Sequence, residues 1–382
     1  MNPTTHPTKT SALLEGPSEA KGPADSTVAA VANEFGVSPF RQMKEIFSMR
    51  YGTQKLGANE YYDLRVFDPV HDKKAKHAFL GQDGINTLNL RMNPDHLMEQ
   101  KNIVGHKLMY TDQLLQARIP TTHTQAMVLA GYTKDPAFVL SDVEAITTFF
   151  EQRAKFPVFG KPMGGSLSVG SVRIVGIADG QLTLGNGATV PLADFAADVI
   201  AQYKDGYLLQ TALQPHVTMQ AITGQTIGSV RIVTVNDGTG VAPAYAVWKI
   251  PSPTAMSDNF WQDGSMLSLI DIKDGKVVSC HRGKGPSAEL HQDHPASKQP
   301  IVGFTVPFWQ EAVQSAISAH ELFPDFGICG FDIAITDKGP VVLECNDQPN
   351  HMIYQFAARR GVQNRDLQPI WASVIAQQKV AA

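Results

Sequence analysis

The segment Cys329–Asn346, CGFDIAITDKGPVVLECN, carries two acids and an amide at spacings that point to one task. Its centre, Asp337-Lys338-Gly339, reads as a three-residue turn with glycine where a left-handed conformation is needed, and turn length sets hairpin register. That register puts Thr336 opposite Pro340, and so Asp332 directly opposite Glu344. Side chains alternate along a strand, so Asp332, Glu344 and Asn346 share one face. Phe331, Ile333, Ile335, Val341, Leu343 and Cys345 share the other, which reads as core. Facing carboxylates repel unless something neutralises them. A hard divalent cation does so, and two carboxylates with an amide oxygen suit magnesium, which completes its shell with water and phosphate oxygens. The hairpin is therefore expected to hold a magnesium nucleotide, the alternative being two solvated acids.

Two further stretches speak to anions. In Lys155–Arg173, KFPVFGKPMGGSLSVGSVR, a short strand ends at Lys161 and runs into Gly164, Gly165 and Ser166. Glycines let successive N–H groups converge on an anion, and Lys161 adds a compact charge, so a lid over nucleotide phosphates fits, as does a plain hairpin loop. Ile227–Val235 and Val241–Ile250 flank an Asn-Asp-Gly-Thr-Gly turn. If Val235 pairs with Val241, Arg231 opposes Tyr245 and Lys249 lies on the same face. Two cations on one face suit phosphate, or a charge developing in acyl transfer; an exposed basic face is the other reading.

These segments need a frame. Strand-like runs separated by Gly, Asn and Asp fill the chain after Pro120, many pairing with sequence neighbours, and helical patterns near 141–153, 192–203, 308–322, 353–360 and 367–379 interrupt them. Segregated antiparallel strands with covering helices make an α+β protein. Earlier, 38–51 and about 104–117 read as helices, and residues 1–34 hold too little apolar surface to order, so they read as a flexible tail. At 382 residues the chain exceeds the span of about 250–300 over which a single core grows, so two or three domains are expected. The organisation read from these patterns is tail 1–34, N-terminal region 35–120, a small lobe 121–205 with the phosphate lid, and a large lobe 206–382 with the metal site.

A net charge of −4 argues against a nucleic-acid partner, and no run approaches a membrane span or a signal peptide, so a cytoplasmic location is expected. Three cysteines, Cys280, Cys329 and Cys345, lack metal spacing and read as reduced thiols. GxxxxGK[ST], GxGxxG after a strand, GxSxG and HExxH do not occur, so any phosphate chemistry uses other apparatus. His281, His291 and His294 read as solvated loop residues rather than a transition-metal site, and Asn259 as an Asx-turn or a substrate contact.

Together these motifs resemble the ATP-grasp superfamily, in particular its sugar-transfer-associated family, over about residues 36–350. The likeness rests on GANEYYDL (57–64), the helix starting near Lys107, FPVFGKP (156–162), YLLQTALQPH (207–216), SVRIVTV (229–235), SDNFWQDGS (257–265), DHP (293–295) and GFDIAITDKGPVVLECN (330–346). It implies two α+β lobes sandwiching ATP behind a partly helical N-terminal region. In that likeness Lys107 and Lys161 contact phosphates, and Gly164, Gly165 and Ser166 cover them. Gln210 to Leu213 form the adenine hinge, with His216 nearby. Arg231 and Lys249 sit near the transferred phosphate; Asp332, Glu344 and Asn346 ligate Mg²⁺. Some relatives carry Arg two residues before the first acid, where this chain has Gly330, which moves the oxyanion role to Arg231. The implied activity is ATP-dependent joining of a carboxylate to an amine through an acyl phosphate. A kinase acting on a hydroxyl and a non-catalytic nucleotide binder are the alternatives, and a homodimer is left open.

Overall fold

A computed structural model describes residues 25–132, 134–135, 137–164, 168–260 and 262–381. The chain divides into two compact units, one comprising Thr122–Gln214 and Thr254–Asn259, the other 25–121, Pro215–Pro253 and the residues from Phe260 on. The strand Tyr207–Thr211 thus belongs with the smaller unit, and the helices of 35–120 pack as part of the larger one rather than separately. Among the described residues no helix is long and apolar enough to cross a membrane.

The smaller unit is a seven-stranded sheet of β1 (Thr124–Val128), β2 (Val139–Leu140), β3 (Val158–Pro162), β4 (Val172–Ala178), β5 (Gln181–Leu184), β6 (Thr189–Pro191) and β7 (Tyr207–Thr211), in the order β2-β1-β7-β3-β4-β5-β6. Every pairing is antiparallel except β1 with β2. Helices Val143–Gln152 and Leu192–Gln202 pack against it because their apolar residues recur at helical spacing: Ile146, Phe149 and Phe150 on one, Leu192, Phe195, Ala196 and Val199 on the other. Asp142 starts the first by accepting the Ala145 N–H at 2.8 Å.

The larger unit holds a second seven-stranded sheet, wholly antiparallel: β8 (Val230–Asn236), β9 (Val241–Ile250), β10 (Met266–Ile270), β11 (Val277–Arg282), β12 (Glu289–Leu290), β13 (Ile328–Thr336) and β14 (Gly339–Asn346), in the order β12-β11-β10-β9-β8-β13-β14. One face packs on helices Lys107–Gln116 and Trp309–Glu321, the other on Met352–Ala358, Gln368–Ala381 and the N-terminal helices. Mixed helices with two antiparallel-dominated sheets make the chain α+β. Where one helix was expected over 104–117 there are two, Met98–Gly105 and Lys107–Gln116, broken at His106, whose ring accepts the Met109 N–H.

Residues 1–24 lie outside the described residues. The expected tail does not reach 34, because Asp25–Phe35 is a helix. Val28, Val31 and Phe35 recur at helical spacing, Val31 is fully buried, and the Gln42 side chain donates to the Val28 and Val37 carbonyls. Composition alone undervalued that short apolar stripe.

Candidate functional site

The acidic hairpin forms as β13 and β14, but not by the expected turn. Thr336 pairs with Gly339, leaving a two-residue turn of Asp337 and Lys338, with Gly339 at φ 108 and the Thr336 hydroxyl donating to its carbonyl. Continued unbroken, that register would put Glu344 on the face opposite Asp332. A bulge at Leu343, between the pairs Ile333–Val342 and Asp332–Glu344, restores the parity. Val342, rather than Val341 and Leu343, therefore enters the core.

The basic hairpin of β8 and β9 repeats this arrangement. Asn236 pairs with Val241, a bulge follows between Val233 and Thr234, and Arg231 opposes Val247 instead of Tyr245. Parity again survives, and Lys249 keeps the face of Arg231. Sequence-distant pairing then brings acid and base together, because β13 lies beside β8 with Asp332 opposite Arg231. Arg231 Nε donates to Asp332 Oδ1 at 2.5 Å and Nη2 to Oδ2 at 2.8 Å, while Lys249 Nζ donates to Oδ2 at 2.9 Å. All three side chains are nearly buried. Burial alone would raise the Asp332 carboxyl, but the Arg231 and Lys249 charges outweigh it and hold the group well below the usual carboxylate range.

Glu344 is placed differently. Its side chain is 41% exposed, with Arg231 Nη2 at 4.0 Å and the Asn346 amide at 3.5 Å. Burial and the neighbouring Asp332 charge push its carboxyl up. Lys107, the first residue of its helix, feels the Glu344 charge and is lowered by burial. Opposed acids need neutralising charge, and at Asp332 Arg231 and Lys249 supply it. Two acids and two bases cancel, so a bare dication gains little here, whereas one bound to a polyphosphate brings anions for the two cations. Glu344, the Asn346 amide oxygen and the Asp332 Oδ1, which carries one donor, fit such a hard cation. Among the described residues no group of three or more His, Cys, Asp and Glu side chains gathers as a metal site.

The remaining expected residues lie on other elements of the two units. Lys161 lies on β3 opposite Leu208 of β7 in the smaller unit, followed by Gly164; Gly165 and Ser166 lie outside the described residues. Gln210 is buried on β7, its amide donating to the hydroxyls of Thr122 and Thr124 at 3.0 Å each. Leu213 follows at the end of that unit, and the chain passes to the larger one between Gln214 and Pro215. His216 accepts the Thr218 N–H at the start of helix Val217–Thr223 and lies 3.9 Å from Asp337. Asn259 donates to Ser257, His291 bonds Glu289, and His294 bonds Ser297.

A buried chain that spacing did not flag adjoins Arg231. His351 Nδ1 lies 2.7 Å from the Tyr245 hydroxyl and its Nε2 3.0 Å from Asn89 Oδ1, while Asn89 donates to the Pro349 carbonyl. Burial, helped by the Arg231 charge, lowers His351 to about 3. The only mark in the sequence is a histidine five residues beyond Asn346. Burial also lowers His320 to about 4. Histidines whose folded pKa is depressed lend stability above the unfolded value of 6.5, and lose it as pH falls. Each should steepen the loss by about 1.4 kcal/mol per pH unit down to its folded pKa. Urea unfolding at pH 7 and pH 5 should show this, and His351→Gln should remove about one histidine's share of the difference.

A family model described as sugar-transfer associated ATP-grasp matches residues 86–371. Solved structures are similar at low identity. VanG D-Ala:D-Ser ligase from Enterococcus faecalis is 9% identical at TM-score 0.42, covering 72% of this chain and 62% of that one. D-alanine-D-alanine ligase from Coxiella burnetii is 10% identical at TM-score 0.40, covering 73% and 59%. N5-carboxyaminoimidazole ribonucleotide synthetase from Thermotoga maritima is 13% identical at TM-score 0.35, covering 70% and 49%. The chain thus spans about half to three-fifths of the length of these structures. No curated protein matches.

Proposed function

We propose that this chain, which belongs to the sugar-transfer associated ATP-grasp family, is an ATP-dependent ligase that joins a small-molecule carboxylate to an amine. The observation carrying this reading is the neutral set Asp332, Arg231, Lys249 and Glu344, whose two cations gain partners when a magnesium-bound polyphosphate arrives. A carboxylate oxygen of the substrate would attack the γ-phosphorus and break its bond to the β-bridging oxygen, leaving ADP and an acyl phosphate. The amine nitrogen would then attack the acyl carbon, lose its proton and expel inorganic phosphate. A bound magnesium ion would supply Lewis-acid neutralisation of phosphoryl oxygens, held by Glu344, Asn346 and Asp332. Arg231 has five N–H donors and commits two to Asp332, so it retains donors for an oxyanion. Asp332 orients both Arg231 and Lys249. Lys161 with Gly164, Gly165 and Ser166, and Lys107, are assigned to the phosphates, Gln210 to Leu213 to the adenine edge, and His216 to the same region. No protein nucleophile is needed, because the phosphoryl group passes directly between substrates.

Screening acids and amines for coupled release of ADP and inorganic phosphate, with mass analysis of the product, tests the proposal. Retention of phosphate on the product would instead mark a kinase, and no nucleotide turnover with any pair a binder. Lys161→Ala is expected to raise the KM for ATP or to lower kcat by about a hundredfold, and unchanged kinetics would remove it from the site.

A further inference from the structure

We infer that the larger unit holds a second binding site, distinct from the charged set on β8, β9, β13 and β14, that takes a small organic molecule through a carboxylate or phosphoryl oxyanion. The site is a cavity of about 410 Å³ whose lining includes Arg65, Arg359, His71 and His281 with the apolar Val70 and Leu290. It lies on the sheet face that carries Lys249: Lys249 pairs with Leu267 and Leu267 with His281, two strand spacings or about 10 Å away.

The charge balance calls for an anion. Asp68, the only acid among the described lining residues, pairs with Arg65, whose Nη2 lies 2.9 Å from it, and reaches Arg359 through its charge alone, so one acid faces two guanidiniums. Arg359 donates Nε to His281 Nδ1 at 3.3 Å, and its buried Nη1 has no hydrogen-bond partner. Arg359, half-buried with one N–H unmatched, is left short of counter-charge, and an oxyanion in the cavity would supply it. In keeping with that, burial and the Arg65 charge lower Arg359 to about 10, and burial and Arg359 lower His281 to about 4. The backbone adds a further sign. Arg359 ends helix Met352–Ala358 at φ 48, a left-handed position that glycine or asparagine fills more cheaply. Gly361 then packs so closely on Ala78 that a Cβ would lie 2.1 Å from its carbonyl carbon, which anchors this end of the segment.

The walls identify an organic body. The cavity is open to solvent, and the exposed Val70 and Leu290 offer apolar surface beside the guanidinium that an organic body would cover and an inorganic oxyanion would not.

Calorimetric titration of the nucleotide-free full chain at low salt, with inorganic phosphate, acetate, butyrate and choline, tests this. The anions should bind and choline should not, with butyrate about tenfold tighter than acetate because two more methylenes are buried. Arg359→Gln should weaken anion binding by at least about tenfold. Val70 is 79% exposed, so Val70→Asp should leave the fold intact while repelling the ligand several-fold. Absence of saturable anion binding, or binding that neither substitution weakens, would overturn the site. Equal affinities for acetate and butyrate would overturn the organic body. Phosphate and carboxylates could also occupy the charged set at Arg231, so Arg359→Gln and Val70→Asp, which leave that set untouched, separate this site from the ligase reading.

Discussion

Asp332→Asn should lower stability by about 3–5 kcal/mol and abolish ATP-dependent turnover together. The carboxylate is nearly buried and accepts three charged hydrogen bonds, two from Arg231 and one from Lys249. Asparagine keeps the shape but leaves two buried cations without a counter-charge, and breaking such a group costs far more than an exposed pair is worth. Because the Asp332 carboxyl is depressed in the folded protein, its contribution is present above 3.8 and lost as pH falls through the folded value. Chemical unfolding at pH 7 measures the first effect and nucleotide turnover the second. A variant as stable as wild type would show that Arg231 and Lys249 are neutralised in some other way.

Glu344→Gln should separate these effects, lowering turnover by about a hundredfold to a thousandfold while stability stays within about 1 kcal/mol of wild type. The side chain is 41% exposed and lies 4.0 Å from Arg231 Nη2, so solvent screens that ion pair. Its carboxyl is raised by burial and by Asp332. A raised carboxyl lends stability below its unfolded value of 4.5 and loses it as pH rises through the folded value, so at neutral pH the ionised form opposes folding. Glutamine removes that charge and keeps an amide oxygen, a poorer ligand for a hard cation. Full turnover in Glu344→Gln would take this residue out of the magnesium assignment, and a stability loss matching that of Asp332→Asn would make it a structural acid instead.

Much of the architecture was legible in the chain because short-range patterns carry it. Alternation and turn residues located most of the strands, and apolar spacing located helices such as Trp309–Glu321 and Leu192–Gln202. Three short strands, Val139–Leu140, Thr189–Pro191 and Glu289–Leu290, carry no readable alternation, because two or three residues are too few for a period to declare itself. Both hairpin registers were read one residue off at the turn, yet Asp332 still faces Glu344 and Lys249 still shares the face of Arg231, because each hairpin contains a bulge.

Residue type placed the acids on one hairpin and the bases on another, and strand alternation placed Asp332 with Glu344 and Arg231 with Lys249 on shared faces. Tertiary structure alone decided how those faces meet. Pairing β13 with β8 across about a hundred residues set Arg231 against Asp332 and so placed a counter-charge beside that acid. It also buried His351 between Tyr245 and Asn89 and gathered Arg65, Arg359 and His281 around one cavity. No local period encodes these juxtapositions, because the contacts that stabilise them join residues far apart in the chain.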